Sequence, residues 1–247
     1  MATIDSSDLA KLRDSRFPEL PLDCGNSVRP GIVDTAEWRD WSDVETTADQ
    51  LRIEDYLDLF DLSDSDILHI GIGNSGLAQR FADKAKSIFG TSVVESEVEQ
   101  ANSLDLPNYR AVIHNKHSGG DERIPAAFDF IIDNNPTTFC CCLEHLARML
   151  ELYANRLSPS GQVVTDRVGL GWTTDAPGSN RRWAFSFDDL AAAAALAGLT
   201  AARAGPTIYT LSVGRPRRPG IIARWSYEIR TNVRRIARRL KRAAGLK

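Results

Sequence analysis

The sequence predicts an α/β fold, a mostly parallel sheet covered by helices on both faces. Three observations predict it. From residue 67 to 213, short apolar runs alternate with segments of helical period, the order that makes parallel strands with crossover helices. The first run, Ile67-Leu68-His69-Ile70, meets a G-x-G-x-x-G turn, Gly71-Ile72-Gly73-Asn74-Ser75-Gly76, and then an amphipathic segment. That is strand, tight loop and helix start. The 247 residues are 43% apolar and 26% charged, the balance of an ordinary soluble globular chain.

Taken in order, residues 1–30 mix polar residues with Pro18, Pro21, Gly25, Pro30 and Gly31, an extended or loosely ordered lead-in. Residues 35–60 carry Trp38, Trp41, Val44, Leu51, Tyr56, Leu57 and Phe60 among many acids. They predict two short helices, divided near Thr46-Thr47, that cap the sheet domain. Strand 67–70 then leads through the glycine loop to a helix over 77–89. A strand at 91–95, a helix at 98–104 and strands at 111–114 and 128–132 come next. A long helix covers 138–157, and Ser158-Pro159-Ser160-Gly161 turns the chain into a fifth strand, 162–165. A Gly-, Thr- and Asn-rich loop runs to about Arg182. Helix 187–197, ended by Gly198, and strands at 200–203 and 207–213 close the domain. Three regions result: a lead-in and helical cap (1–60), the sheet domain (61–214) and a basic tail (215–247).

Composition excludes some classes. No apolar run approaches the roughly 20 residues that span a bilayer. The first residues lack the basic start and apolar core of a secretory signal. Cys24 and the run Cys140-Cys141-Cys142 have no C-x-x-C spacing, so they read as reduced thiols of a cytoplasmic protein. The three adjacent cysteines are expected as small helix-packing residues rather than metal ligands or nucleophiles.

A glycine loop at a helix start lets backbone approach a ligand closely and aims free N–H groups at it. After the fifth strand the chain closes with one helix and a strand pair, leaving no length for a dehydrogenase's second half. Over about residues 64–214 the chain resembles the class I S-adenosylmethionine-dependent methyltransferases. The resemblance rests on Ile70-Gly71-Ile72-Gly73, on Val93-Val94-Glu95, and on Phe128-Asp-Phe-Ile-Ile-Asp133. Leu157-Ser-Pro-Ser-Gly161-Gln-Val-Val and the closing segment from Phe185 to Leu199 complete it. It implies a Rossmann-like three-layer sandwich with a seven-stranded sheet whose last strand is antiparallel, and S-adenosylmethionine as cofactor. Gly71, Gly73, Asn74 and Gly76 would then seat its methionine end. Glu95 would take both ribose hydroxyls, with Glu97 in reserve, and Asn115 would contact the adenine. His69 stands two residues before the first loop glycine, where the family carries an acid. Val94-Glu95-Ser96-Glu97 and Asp133-Asn134-Asn135-Pro136 also resemble, more distantly, the aminopropyltransferases of the same fold.

Ligands sit at the carboxyl ends of such sheets. Asp133 and Asp166 occupy two of those ends. Together they would hold a divalent cation such as Mg2+ and lower the pKa of an acceptor hydroxyl; without a metal, Asp133 would contact the cofactor or act as base alone. His117 and His145 are the candidate general bases, ahead of His114. His69, inside the first strand, reads as a buried hydrogen-bonding residue. Trp172, Asn180, Arg181, Arg182 and Trp183 suit a polyhydroxylated acceptor or a docked lid equally. The favoured activity is O-methylation of a saccharide or similar polar small molecule, with a lipid-linked or cell-envelope glycan as one candidate. A nucleic-acid methyltransferase and a non-catalytic adaptor that keeps the fold remain alternatives.

Charge is unevenly placed. Residues 215–247 hold twelve Lys/Arg and one acid, Glu228; the rest holds eighteen bases against thirty-two acids. Beyond Pro216, Pro219 and Gly220, the residues Ile221, Trp225, Ile229, Val233, Ile236 and Leu240 recur at spacings of four and three, one stripe of a basic helix. In order of preference, that stripe would pack on the acidic body or a second copy in a homodimer. Next it would lie on an anionic membrane through 221–243, at the inner face. Last, it would bind nucleic acid.

Overall fold

Strands β1 (Asp66–Ile70), β2 (Ser87–Ser92), β3 (Tyr109–Ile113), β4 (Phe128–Asp133), β5 (Leu157–Asp166), β6 (Thr200–Arg203) and β7 (Ile208–Ser212) form one sheet. Their order is β3-β2-β1-β4-β5-β7-β6. The first five run parallel, and β7 inserts antiparallel between β5 and β6. The computed structural model describes residues 3–25, 40–137, 140–171 and 184–220. The basic stripe from 221 onward and the residues 172–183, with Trp172, Asn180, Arg181, Arg182 and Trp183, lie outside them.

Helices α1 (Ser6–Arg16), α5 (Leu143–Arg156) and α7 (Phe187–Leu196) cover one face; α2 (Ala48–Leu57), α3 (Gly76–Phe81) and α4 (Glu95–Ser103) cover the other, while the one-turn α6 (Arg167–Leu170) comes after β5. Each layer has its own core. Leu68, Ile131 and Val163 meet Leu146, Met149, Leu190 and Ala194, and Ile67, Phe130, Ile132 and Val164 meet Ile53, Leu57, Leu77 and Phe81. Strand residues alternate between these cores because successive side chains leave a strand on opposite faces. The result is the expected three-layer sandwich.

Several local expectations are corrected. Part of the lead-in is helical. Asp5 caps α1, its side chain accepting from the Ser7 amide. Phe17 stacks on Phe185 with centroids 4.7 Å apart, so α1 is held into the core by packing that turn residues downstream of it do not disclose. Residues 40–47 are not helical, and α2 begins only at Ala48. The predicted helix 77–89 stops at Phe81. Phe81 O accepts from both Lys84 N and Ala85 N, and the Asn108 amide takes Ala82 O and Ala85 O at 2.8 Å each. The next apolar residues, Ile88 and Phe89, belong to β2, which therefore starts four residues before the predicted strand. The turn at 158–161 is an out-looping within β5, where the β4–β5 register shifts between Phe128 and Phe130. A Cβ on Gly161 would stand 2.4 Å from Phe128 O, so only glycine rejoins the ladder there.

Candidate functional site

The chain reverses direction across the sheet between β1 and β4, and the carboxyl ends there open a crevice, the place where such sheets bind ligands. In this structure the crevice is a cavity of about 610 Å³. Its floor is the glycine loop, its walls are the ends of β1 to β4, and residues 41–50 form its roof.

Loop geometry arises from glycine. Gly71 and Gly73 adopt φ of +73° and +49°, backbone that side-chain-bearing residues avoid. Gly71 N donates to Thr91 O at 2.8 Å, tying the loop to the end of β2. Residues 40–47 lie across this loop as a strap. A Cβ on Gly73 would sit 3.4 Å from Trp41 Cβ, and one on Gly76 would sit 2.6 Å from Thr46 Oγ1. Asn74 holds the strap down: its Nδ2 donates to Val44 O at 2.7 Å while its Oδ1 accepts from Gly76 N at 2.9 Å. Asn74 thus lines the cavity with its amide already engaged.

The two acids expected after the second strand are placed differently. Because β2 ends at Ser92, Glu95 is the exposed first residue of α4 and lies outside the cavity. Glu97, within the first turn of α4, is buried and lines the cavity. Its Oε2 accepts from Ser92 Oγ at 2.5 Å and its Oε1 from the Trp41 amide at 2.8 Å. Burial pushes its carboxyl above the usual range, against the hydrogen bonds that hold it ionised.

On the opposite wall, Asn115 is buried and caps a short 3-10 turn, its Oδ1 accepting from His117 N at 3.0 Å. His117 is buried and lines the cavity. Asp133 is buried at the end of β4. Its Oδ2 accepts from Lys116 Nζ at 2.7 Å and from the Tyr153 hydroxyl, and its Oδ1 from Asn135 N at 3.0 Å. His69 lines the cavity too, and its Nδ1 finds no hydrogen-bond partner among the described residues. Burial lowers its pKa to about 4, opposed by the charge of Asp133, so the imidazole is neutral near pH 7. The hydrogen-bonding role expected for His69 is not met at that nitrogen. His114 also lines the cavity, with Nδ1 3.3 Å from Asp121 Oδ2, and burial lowers its pKa.

Two further predicted site residues lie outside the cavity. Asp166 is fully buried and outside the cavity lining. Arg52 grips it twice, Nε to Oδ2 at 2.9 Å and Nη2 to Oδ1 at 2.7 Å, and Asp166 also caps α6 through Val168 N. With both oxygens so occupied, and Asp133 held by three donors, the pair is not a cation site; the Mg2+ expectation is corrected on this geometry. His145 is buried away from the cavity, its Nδ1 facing Cys141 and Cys142, so it is no base for a substrate there. Sequence reasoning overlooked Trp41, Ser92 and Lys116. Only Lys116, a cation directly after a predicted strand and its polar cap, left a visible trace.

No protein-family model matches the chain, and no curated protein matches it. Solved structures do. An S-adenosylmethionine-dependent methyltransferase from Clostridium acetobutylicum is 14% identical over 74% of this chain and 93% of that one, with a TM-score of 0.52. A TehB-like S-adenosylmethionine-dependent methyltransferase from Corynebacterium glutamicum is 15% identical over 72% and 95%, with a TM-score of 0.50. A chain of the complex between the Haloferax volcanii Trm112 methyltransferase activator and its methyltransferase partner is 14% identical over 81% and 80%, also at 0.50. Likeness at such identities establishes architecture: this chain has the fold of the class I S-adenosylmethionine-dependent methyltransferases.

Proposed function

We propose that the protein is an S-adenosylmethionine-dependent methyltransferase that modifies a hydroxyl of a saccharide or similar polar small molecule. The observation that carries the reading is the cavity at the β1/β4 reversal, floored by a glycine loop with two left-handed glycines. The residues fit the cofactor. Nothing stands within 4 Å of a Cβ placed on Gly71, so the methionine end has room against backbone. His69 Nδ1, buried and without a partner among the described residues, is an acceptor for an ammonium donor, in place of the usual acid. Glu97 is the acid for the ribose. Ser92 and the Trp41 amide engage one oxygen each and the Gly73 amide also bonds the carboxylate, which leaves about one of its four lone-pair sites for a ribose hydroxyl. Asn115 lies on the wall for the adenine.

When bound, S-adenosylmethionine supplies an electrophilic methyl group on a sulfonium centre. The chain's own contribution is to align the acceptor and receive its proton. Asn134, Asn135, Lys116 and Asp49 give the β4 side of the cavity its polar lining, suited to a polyhydroxylated acceptor. His117 takes the hydroxyl proton at an imidazole nitrogen. Asp133, fixed by Lys116 and Tyr153, orients the acceptor.

Calorimetry tests the cofactor. S-adenosylmethionine binds, and Gly73→Val, which strains the backbone and strikes Trp41, removes binding while circular dichroism stays unchanged. NAD binding without S-adenosylmethionine binding would overturn the reading, and a folded protein that binds neither is the adaptor. The acceptor is tested by mass spectrometry of glycans from cells with and without the protein, which should differ by one methylene per modified site.

A further inference from the structure

None of the four cysteines takes part in the site above. Cys24 lies after α1, on a segment pinned to the start of α5: Leu143 N donates to Pro21 O and Glu144 N to Leu22 O, each at 3.0 Å. Cys141 and Cys142 lead into that helix, with Cys142 as its N-cap, and His145 sits in its first turn. One ligand atom from each of these four residues lies within 4.8 Å of all the others, the single such group of His, Cys, Asp or Glu among the described residues. His145 Nδ1 is 2.8 Å from Cys141 Sγ, 3.3 Å from Cys142 Sγ and 3.6 Å from Cys24 Sγ. Cys24 Sγ and Cys141 Sγ are 3.3 Å apart.

We propose that Cys24, Cys141, Cys142 and His145 form a zinc site with three sulfur ligands and one nitrogen. Tetrahedral zinc, with Zn–S near 2.3 Å and Zn–N near 2.0–2.1 Å, needs S···S of about 3.8 Å and S···N of about 3.5 Å. The separations here lie within about an ångström of those values, so small side-chain rotations complete the shell. Thiolates with an imidazole select zinc over the hard cations Mg2+ and Ca2+. Four protein ligands close the coordination sphere, the mark of a structural rather than a catalytic ion.

The neighbouring Cys140 shows what a packing cysteine looks like in this fold. It is buried, and its thiol donates to the Cys142 carbonyl. Cys141, by contrast, is exposed and Cys24 is half-buried. A Cys24–Cys141 disulfide is the rival use of the cluster, since a bonded pair needs S–S of about 2.05 Å, but it would leave Cys142 and His145 without a role. The ion would join the segment before residue 26 to the start of α5. It would thereby brace the β4–α5 connection, whose Asn134 and Asn135 line the cavity.

The test uses the full chain purified with reductant present. Elemental analysis should find one zinc per chain, and cobalt exchanged into the site should show tetrahedral thiolate charge-transfer absorption. The double variant Cys24→Ser/Cys141→Ser should lose the metal, whereas Cys140→Ala should keep it. A strong chelator should lower the melting temperature of the unaltered protein, and added zinc should restore it. This arm decides the matter even if the double variant fails to fold. Absence of zinc together with no cobalt uptake by the unaltered protein overturns the proposal. So does full metal content in the double variant, or a reductant-sensitive mass two hydrogens lighter.

Discussion

His69 sets a pH dependence that one residue can report. Its folded-state pKa of about 4 lies below the ordinary 6.5 because burial disfavours the charged ring. The unfolded chain therefore binds more protons than the folded one between those values, and stability falls as pH drops from about 6.5 toward 4. The loss amounts to about 3 kcal/mol. His114, shifted the same way, adds to it. Urea melts at pH 7 and pH 5 should show about 2 kcal/mol of this loss, and His69→Gln should flatten it; an unchanged slope in that variant would refute the assignment. A second residue-scale expectation concerns Arg52, the partner of the fully buried Asp166. Arg52→Leu leaves a buried carboxylate without its counter-charge and should cost about 3–5 kcal/mol by denaturant unfolding. Asp166→Asn in the same chain should recover part of it. Residue roles were only partly legible in the sequence. Glu95 and Glu97 were both within reach because they lie near the second strand, but which of them lines the cavity turns on a strand end that only pairing with β1 and β3 fixes. The cysteine–histidine cluster was not legible: Cys24 and Cys141 are 117 positions apart, and spacing rules see only local ligands.

At the scale of elements, the strap over residues 40–47 and helix α1 behave as parts of the core. Asn74→Ala removes the bonds to Val44 O and Gly76 N, at about 1 kcal/mol each. Hydrogen exchange of the amides in 40–47 should quicken, and S-adenosylmethionine affinity should fall with it. Phe17→Ala should destabilise the fold by about 3 kcal/mol, measured by denaturant unfolding, because Phe17 is buried against Phe185. The parallel strands other than β2 were legible because their apolar runs are bounded by turn residues, and β6 was read at 200–203, the residues it occupies. The α3–β2 boundary was not, since Leu77, Ala78, Phe81, Ala85 and Ile88 keep a helical period straight through the turn. Nor was the docking of α2. There Arg80 reaches Glu54, Asp55 and Asp58 at 3.0, 3.1 and 2.5 Å, joining α3 to an acidic helix that the sequence shows only as a cap.

Across the whole molecule, the acidic body and the basic residues beyond 215 set a charge asymmetry. No helix of the described residues is long and apolar enough to cross a membrane. If the tail docks on the body or on a second copy, high salt should loosen it, because the Debye length shrinks to about 3 Å at 1 M. Sedimentation velocity of the full chain at low and high salt should show that change. Pelleting with anionic vesicles or RNA that disappears in a 1–220 truncation would replace this reading. The strap has a consequence for timing. Its fastenings are to the floor of the cavity itself, through Asn74, and to the wall, through the Trp41 amide on Glu97. An occupant that passes beneath the strap must part those ties. Encounter should then be paced by an internal opening step, so that the observed association rate levels off as ligand concentration rises, and residence should lengthen in proportion to how firmly the N-terminal segment is held.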